Sequence, residues 1–260
     1  MARLSAALRL ILLALFTFII AIPQLIILKM DLGPSVYVIP RLWHKIGCFL
    51  FRIRIETCGN PVKGRQVLYV GNHLSHFDIP TLGSLVKASF IAKEEVGTWP
   101  VMEHLSTLHQ TAFISRSPRR AQAAKDIVAR FLEQGKSLIL FAEGTSTRGE
   151  TVLPFKSSMF SLALAANAEN LPIQPFTIEL LEVDGKPPLD KELRDIYAWD
   201  RDNPIDLGPH CWNFLQTKGA RVKIYFHEPV LASQYPDRKI MASEIREIVA
   251  RPLEQAGSSV

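Results

Sequence analysis

Residues 71–78 read Gly71-Asn72-His73-Leu74-Ser75-His76-Phe77-Asp78, and they directly follow the apolar run Val67-Leu68-Tyr69-Val70. A short apolar run of this kind is typical of a buried strand, so it places His73 at the rim of the predicted sheet, where sites in α/β proteins tend to lie. Asp78 follows five positions later. Positions five apart on a regular helix diverge by about 140°, so His73 and Asp78 can meet only if the chain turns between them.

A paired His73 and Asp78 would support acid–base chemistry. A neutral imidazole accepts a proton readily near neutral pH, and a carboxylate on its other nitrogen fixes the tautomer and stabilises the imidazolium that forms. No Ser or Cys nucleophile is then required, provided that the substrate supplies one. Two alternatives stay open from the residues alone. His73 could be a hydrogen-bonded loop residue with Asp78 a simple helix cap, and His76 is a rival base.

A second polar stretch follows another apolar run. Residues 138–142 form a predicted strand that leads into Glu143-Gly144-Thr145-Ser146-Thr147-Arg148-Gly149. Gly144 allows close approach of the backbone to a ligand. The hydroxyl groups and Arg148 suit an anionic oxygen.

The patterns Asn-His-x-Ser-x-x-Asp and Phe-x-Glu-Gly-Thr resemble the first and third sequence blocks of the glycerolipid acyltransferase family, of the lysophosphatidic acid acyltransferase type. Phe113-Ile114-Ser115-Arg116 resembles the second block, and Leu171-Pro172-Ile173-Gln174-Pro175-Phe176 resembles the fourth. The resemblance covers roughly residues 60 to 180. Four blocks in the expected order are far more specific than any single motif.

The resemblance implies acyl transfer from acyl-CoA or acyl-carrier protein to the hydroxyl of a lysolipid. His73 would be the general base and Asp78 would orient it, with no covalent acyl-enzyme, no cofactor and no metal. An ionised Glu143 cannot itself bind phosphate, so it is expected to brace an arginine or accept a hydroxyl. The acceptor's head group is expected to be held by Arg116, Glu143, Gly144, Thr145 and Arg148.

The third block departs from the family pattern. It usually reads Glu-Gly-Thr-Arg, but here Ser146-Thr147 separate Thr145 from Arg148. Either the loop bulges and Arg148 still reaches a phosphate, or the head group differs. Glu-Gly-Thr-Ser with residues 153–158 also resembles enzymes that acylate lyso-ornithine lipid, whose head carries a carboxylate and an amine. The expected acceptor is 1-acyl-glycerol-3-phosphate, giving phosphatidic acid, with lyso-ornithine lipid as the alternative.

The N-terminus predicts association with a membrane. Residues 10–28 are almost continuously apolar, with Arg3 and Arg9 before them and Lys29 after them. The run is just long enough to cross a hydrocarbon core. A cleaved signal peptide is the alternative, but no Ala-x-Ala site is evident, which favours a retained anchor. Pro23 leaves open a bent, half-inserted helix.

Apolar residues then recur at helical spacing through residues 36–50, with Trp43 among them. This helix could lie at the membrane interface or pack on the domain. We divide the chain into an N-terminal membrane anchor with an interfacial helix, residues 1–58, and an acyltransferase domain, residues 59–260. The basic residues that follow the anchor place the domain at the cytoplasmic face of the inner membrane.

Beyond residue 67 strands and helices alternate, which predicts an α/β fold with a mixed sheet flanked by helices. Residues 184–206 are polar and proline-rich, and they are expected to run over the surface. They include part of a late block, Tyr197-Ala198-Trp199 and Pro209-His210-Cys211-Trp212, that resembles one in some bacterial family members, in which His210 is expected to be structural.

Composition bears on the other function classes. The net charge of +5 and the pI near 9.2 suit anionic lipid surfaces or phosphorylated substrates, and no nucleic-acid-binding motif is recognisable. The scattered Cys48, Cys58 and Cys211 argue against a disulfide framework or zinc site. A soluble hydrolase lacks support because there is no Gly-x-Ser-x-Gly motif. A non-catalytic lipid-binding protein remains the alternative from another class, although an intact His73–Asp78 pair argues against it.

Overall fold

A computed structural model of the protein describes residues 1–30, 33–97, 102–115, 117–164, 170–200 and 202–257. The described strands, in chain order, are β1 (Ile53–Cys58), β2 (Leu68–Gly71), β3 (Ser89–Lys93), β4 (Ala112–Ile114), β5 (Leu138–Phe141), β6 (Pro172–Val183), β7 (Ala220–Phe226) and β8 (Val230–Leu231). The described α-helices are α1 (Ala2–Lys29), α2 (Val38–Phe51), α3 (Asp78–Leu85), α4 (Glu94–Gly97), α5 (Met102–Leu108), α6 (Ala121–Glu133), α7 (Ser157–Leu164), α8 (Lys191–Tyr197), α9 (Leu207–Leu215) and α10 (Arg238–Gly257).

The strands form one mixed sheet in the order β1-β7-β6-β2-β5-β3-β4, with β8 beside β6. Strand β2 pairs in parallel with both β5 and β6, whereas β6 and β7 are antiparallel. The predicted fold class, a mixed sheet flanked by helices, is therefore confirmed. The edge strand β1 pairs with β7, although it precedes the boundary drawn at residues 58 and 59. That division of the chain stays a prediction.

The register of the central strands brings the sequence blocks together. Gly71 at the end of β2 lies opposite Phe141 of β5 and Phe176 of β6. His73 and Glu143 each follow two residues later, so they emerge at the same edge of the sheet. Gly71 also has no room for a side chain, because a Cβ atom there would lie 2.3 Å from the Phe176 carbonyl oxygen.

The central strand β2 contributes side chains to a hydrophobic core on each face of the sheet. Leu68 and Val70 pack in one core with helices α6, α7 and α10, and Tyr69 packs in the other with α2, α3, α8 and α9. This alternation is the period of a β-strand that is covered on both faces.

Helix α1 lies against the domain through polar side chains on one of its faces. Among the described residues it is the one helix long and apolar enough to cross a membrane. Its polar contacts are hydrogen bonds from the Arg9 guanidinium to the carbonyls of Leu50 and Leu215, from Trp43 Nε1 to Thr17 Oγ1, and from Gln24 Nε2 to the carbonyls of Val36 and Leu108. The helix therefore runs along the domain surface and does not project away from it.

One sequence prediction differs from the structure. The segment 184–206, expected to run over the surface, contains helix α8 and the fully buried Tyr197. The polar and proline-rich composition of this segment gave no indication that one of its aromatic side chains is buried.

Candidate active site

The side chains of His73 and Asp78 are hydrogen-bonded, with 2.7 Å between His73 Nδ1 and Asp78 Oδ2. Asp78 is the first residue of α3, and its Oδ2 also accepts the backbone N–H groups of Leu74 at 2.6 Å and Ser75 at 3.0 Å. The carboxylate thus closes the turn that precedes its own helix. It does not cap α3, because both backbone donors lie before the helix begins. This turn brings together two side chains that a continuous helix would have separated.

A buried tyrosine holds the other oxygen of Asp78. The Tyr197 hydroxyl donates to Asp78 Oδ1 at 3.1 Å, and Tyr197 is fully buried. Burial, followed by the nearby Asp78 charge, raises the pKa of Tyr197 well above its usual value, so the phenol stays protonated and donates. The sequence analysis assigned Tyr197 no role. Its place in the late block, Tyr197-Ala198-Trp199, was the available signal.

The imidazole of His73 stacks on Phe141, with ring centroids 3.9 Å apart and an interplanar angle of 14°. The His73 side chain is 21% exposed, whereas Asp78 is fully buried. One ring nitrogen of His73 is therefore hydrogen-bonded to the buried Asp78 carboxylate, while part of the ring is exposed to the adjacent cavity.

Glu143 binds backbone groups with both of its oxygens. Oε1 accepts the His73 N–H and Oε2 accepts the Leu153 N–H, each at 2.9 Å. Burial raises the pKa of Glu143 to about 7, although the two backbone hydrogen bonds oppose that shift. The carboxylate thereby joins the first and third blocks through backbone N–H groups, whereas an arginine or a hydroxyl had been expected as its partner.

The glycine of the third block sits beside a lysine. Gly144 has φ of +73°, and a Cβ atom there would lie 2.9 Å from Lys156 Nζ. The positive φ and the close lysine both favour glycine at this position. Thr145, the next residue, lines the cavity together with Gly144.

The two extra residues of the third block are bonded to their surroundings. The Thr147 N–H donates to the His73 carbonyl at 2.8 Å. The Ser146 hydroxyl donates to the Trp199 carbonyl. The insertion therefore ties the loop after β5 to the histidine loop and to the segment after α8.

Arg148 is bonded to two carboxylates. Its Nε lies 2.6 Å from Asp195 Oδ1, and its Nη1 lies 2.9 Å from Asp200 Oδ2. These partners raise the pKa of the Arg148 guanidinium. Arg116, the other arginine predicted to bind the head group, lies outside the described residues.

A cavity of about 610 Å³ opens beside His73. One part of its wall is apolar and is formed by Ile79, Phe90, Ile91, Ile114, Phe141, Met159 and Leu207. The polar part of the wall includes His73, Thr145, Ser146, Asp200 and Asn203. The cavity therefore combines an apolar lining, suited to an acyl chain, with polar groups beside a histidine.

The rival base, His76, also lines the cavity, but its described hydrogen bond is to a thiol. His76 Nε2 lies 3.2 Å from Cys211 Sγ. Burial lowers the pKa of His76 well below the usual value, and His210 and His73 add to that shift. His210, expected to be structural, donates its Nε2–H to the Asp195 carbonyl oxygen at 3.0 Å. The His–carboxylate pairing needed to orient a base is seen at His73.

Comparisons with known proteins show the family to which the chain belongs. A family model described as Acyltransferase matches residues 52–179. The chain is 35% identical to a lyso-ornithine lipid O-acyltransferase of Brucella abortus over 224 residues, which are 84% of this chain and 82% of the relative. It is 30% identical to a 1-acyl-sn-glycerol-3-phosphate acyltransferase of Neisseria gonorrhoeae over 192 residues, 73% of this chain and 70% of the relative.

A solved structure shares the fold. The crystal structure of the 1-acyl-sn-glycerophosphate acyltransferase PlsC from Thermotoga maritima superposes with a TM-score of 0.64, at 20% identity, over 97% of this chain and 98% of that one. The sequence relatives and the shared fold lead to one conclusion. The chain belongs to the glycerolipid acyltransferase family and is a lysolipid O-acyltransferase.

Proposed function

We propose that the protein transfers a fatty acyl group from a thioester, either acyl-CoA or acyl-carrier protein, to the hydroxyl of lyso-ornithine lipid, with His73 as the general base. The observation that carries this proposal is the His73–Asp78 pair, with 2.7 Å between its atoms, in the wall of a largely apolar cavity. The donor thioester and the acceptor are the only small molecules that the reaction uses.

In this mechanism Asp78 accepts the Nδ1–H of His73, which leaves Nε2 free to accept a proton. Nε2 removes the proton of the acceptor hydroxyl while its oxygen attacks the thioester carbonyl. The tetrahedral intermediate collapses by breaking the carbon–sulfur bond, and the imidazolium returns the proton to the departing thiolate. Asp78 stabilises the imidazolium in between.

Residues of the third block hold the loop of His73 in place and line the cavity beside it. Glu143 holds the backbone of His73, and Gly144 and Thr145 form the polar wall beside it, where they would contact the acceptor. Arg116 stays a predicted head-group contact on the strength of the family resemblance. The two carboxylates bonded to Arg148 favour an indirect role for this arginine, in contrast to the direct phosphate contact that the resemblance implies.

Two observations favour lyso-ornithine lipid over 1-acyl-glycerol-3-phosphate, which reverses the order expected from sequence. Two similar relatives, from Brucella abortus and Rhizobium meliloti, are named lyso-ornithine lipid O-acyltransferases. The second is 30% identical over 93% of this chain and 83% of its own length. In addition, Arg148 faces two carboxylates, so the group of three carries one net negative charge, which disfavours a phosphate.

We further propose that α1 and α2 lie in the interface of one membrane leaflet, at the cytoplasmic face. Arg9, Thr17 and Gln24 span about 22 Å of helix axis, and each is bonded to α2 or to the rest of the domain. A helix docked along this length exposes its other face. The exposed apolar side chains of α1 include Leu4, Leu8, Ile11, Leu15, Phe18 and Ile22.

The test is an acyl-transfer assay with purified protein in mixed micelles. Lyso-ornithine lipid, lysophosphatidate and another lysophospholipid are compared with both acyl-CoA and acyl-carrier protein as donors. We expect release of free thiol and formation of the diacylated product with lyso-ornithine lipid at the highest kcat/KM. A preference for lysophosphatidate would instead support the second candidate acceptor. Binding of lysolipid without any thiol release would support the non-catalytic alternative.

A further inference from the structure

The segment that follows α8 places a carboxylate in the cavity wall. We propose that Asp200 is a specificity-determining residue that binds the ammonium group of the acceptor's head, an inference that rests on the proposed lyso-ornithine acceptor. The family resemblance assigned no role to this position. Three features of the site support it: the location of Asp200, the charge around it, and its attachment to the histidine loop.

Asp200 is a fixed, nearly buried member of the cavity wall. It lines the same cavity as His73, and its side chain is 10% exposed. Its Oδ2 lies 2.9 Å from Arg148 Nη1, and its Oδ1 accepts the Asp202 N–H at 3.1 Å. A carboxylate has about four acceptor positions, so further donors can still bind it.

The charge around Arg148 favours a second cation. Its guanidinium is shared between Asp200 and Asp195, with one positive charge against two negative charges. Arg148 is not among the described residues that line the cavity, whereas Asp200 is. A ligand in this part of the cavity therefore contacts the Asp200 carboxylate and not the Arg148 guanidinium. Two further residues of opposite charge, Lys93 and Glu95, also line the cavity. An ammonium group beside Asp200 forms a charge-assisted hydrogen bond, whereas a phosphate group beside it is repelled.

The position of Asp200 is also fixed relative to the loop that carries His73. The neighbouring Trp199 donates its backbone N–H to the Leu74 carbonyl at 2.9 Å, and its own carbonyl accepts the Ser146 hydroxyl. Ser146 is one of the two residues inserted into the third block. The insertion and Asp200 thus form one unit, fixed relative to the residue that follows His73.

The experiment compares lyso-ornithine lipid with its δ-N-acetylated derivative, which lacks the cationic ammonium. The wild type is expected to lose on the order of tenfold or more in kcat/KM on acetylation, chiefly through KM, as befits one charge-assisted hydrogen bond. The kcat/KM of Asp200→Asn with lyso-ornithine lipid is expected to fall by a similar factor, and it should be the same for the acetylated and the unmodified acceptor. Asp200→Glu, which keeps the charge, should retain the discrimination.

Asp195→Asn is the matched control, because Asp195 binds the same guanidinium and is absent from the described cavity lining. This variant should still discriminate against the acetylated acceptor. An acetylation penalty that is equal in wild type and Asp200→Asn, or absent in wild type, overturns the inference and leaves the proposed function standing. If the wild type does not acylate lyso-ornithine lipid at all, the proposed acceptor fails and this inference fails with it.

Discussion

At the scale of single residues, His73 is oriented by groups that are near it in sequence and, through Asp78, by one that is not. Asp78 Oδ2 receives His73 Nδ1 and two backbone N–H groups of the same loop. The five-residue spacing allowed this pairing only if the chain turned, and the family resemblance implied it. The donor to Oδ1, Tyr197, is 119 positions away in the chain. The late block drew attention to this stretch, but its contact with Asp78 depends on the packing of α8.

The first prediction concerns the carboxylate. Asp78→Asn should lower kcat on the order of 10³- to 10⁴-fold, as in Ser-His-Asp enzymes, because an amide does not stabilise the imidazolium or enforce its tautomer. KM for the acceptor should change little. The measurement is the initial rate of thiol release, with the thermal unfolding midpoint as a check on folding. An unchanged kcat would show that His73 does not need its partner.

The second prediction concerns the tyrosine as a positioning residue. Tyr197→Phe removes one hydrogen bond from a neutral phenol to the Asp78 carboxylate, so kcat should fall on the order of tenfold or more. Without this donor Asp78 attracts the imidazolium proton more strongly, and the acidic limb of the pH–rate profile should move to higher pH. A fall in rate with no movement of that limb would indicate a purely structural role for Tyr197.

At the scale of elements, the positions of two central strands were readable from the sequence, but the neighbours of the strands in the sheet were not. Apolar runs predicted β2 and β5, and the family resemblance implied that the blocks after these strands meet. The antiparallel pairing of β6 with β7 and the edge position of β1 depend on contacts distant in sequence. Helix α8 was missed because its surroundings are polar.

The third prediction belongs to the junction of α2 with the end of α5. His109 Nδ1 lies 3.1 Å from His44 Nε2, and Trp43 packs edge-on to both imidazoles. Burial lowers the pKa of His109 from 6.5 to about 4. Burial, together with the neighbouring His109, also lowers the pKa of His44 well below its usual value. The contribution of these neutral imidazoles to the free energy of unfolding is complete above pH 6.5, the usual pKa of histidine. It is lost as the pH falls from there through about 4.

His109→Asn should therefore flatten the loss of stability between pH 6.5 and pH 4, since an asparagine amide does not titrate there. The free energy of unfolding, measured by denaturant titration across this range, provides the readout. His104→Asn is the matched control, because His104 is an exposed histidine on α5. A His109→Asn curve that parallels the wild type would remove these histidines from the acid response.

At the scale of the whole molecule, the α/β layer carries two apolar helices, α1 and α2, on one side. Composition predicts membrane association, and the proposed manner of attachment rests on the contacts of Arg9, Thr17 and Gln24. A hydropathy pattern is the same for a spanning helix and for one that lies flat. Polar anchors that face the domain favour a flat orientation, in which the active-site cavity stays close to the lipid substrates.

The fourth prediction tests this orientation. The double change Phe18→Ser and Ile22→Ser removes exposed apolar surface from α1 and should weaken binding to vesicles of anionic phospholipid, measured by sedimentation. Leu189→Ser is the control, because Leu189 is similarly exposed but lies before α8. Equal vesicle binding by all three proteins would argue against insertion of this face of α1.

The central claim is that His73 removes the proton of the acceptor hydroxyl. The most direct measurement is thiol release from acyl-CoA in the presence of lysolipid, by wild type, His73→Ala and His76→Asn, together with lysolipid affinity measured by calorimetry. We predict that His73→Ala loses nearly all turnover while its Kd for lysolipid stays close to that of the wild type, and that His76→Asn retains turnover. Full turnover by His73→Ala, or loss of turnover in His76→Asn alone, would contradict the account.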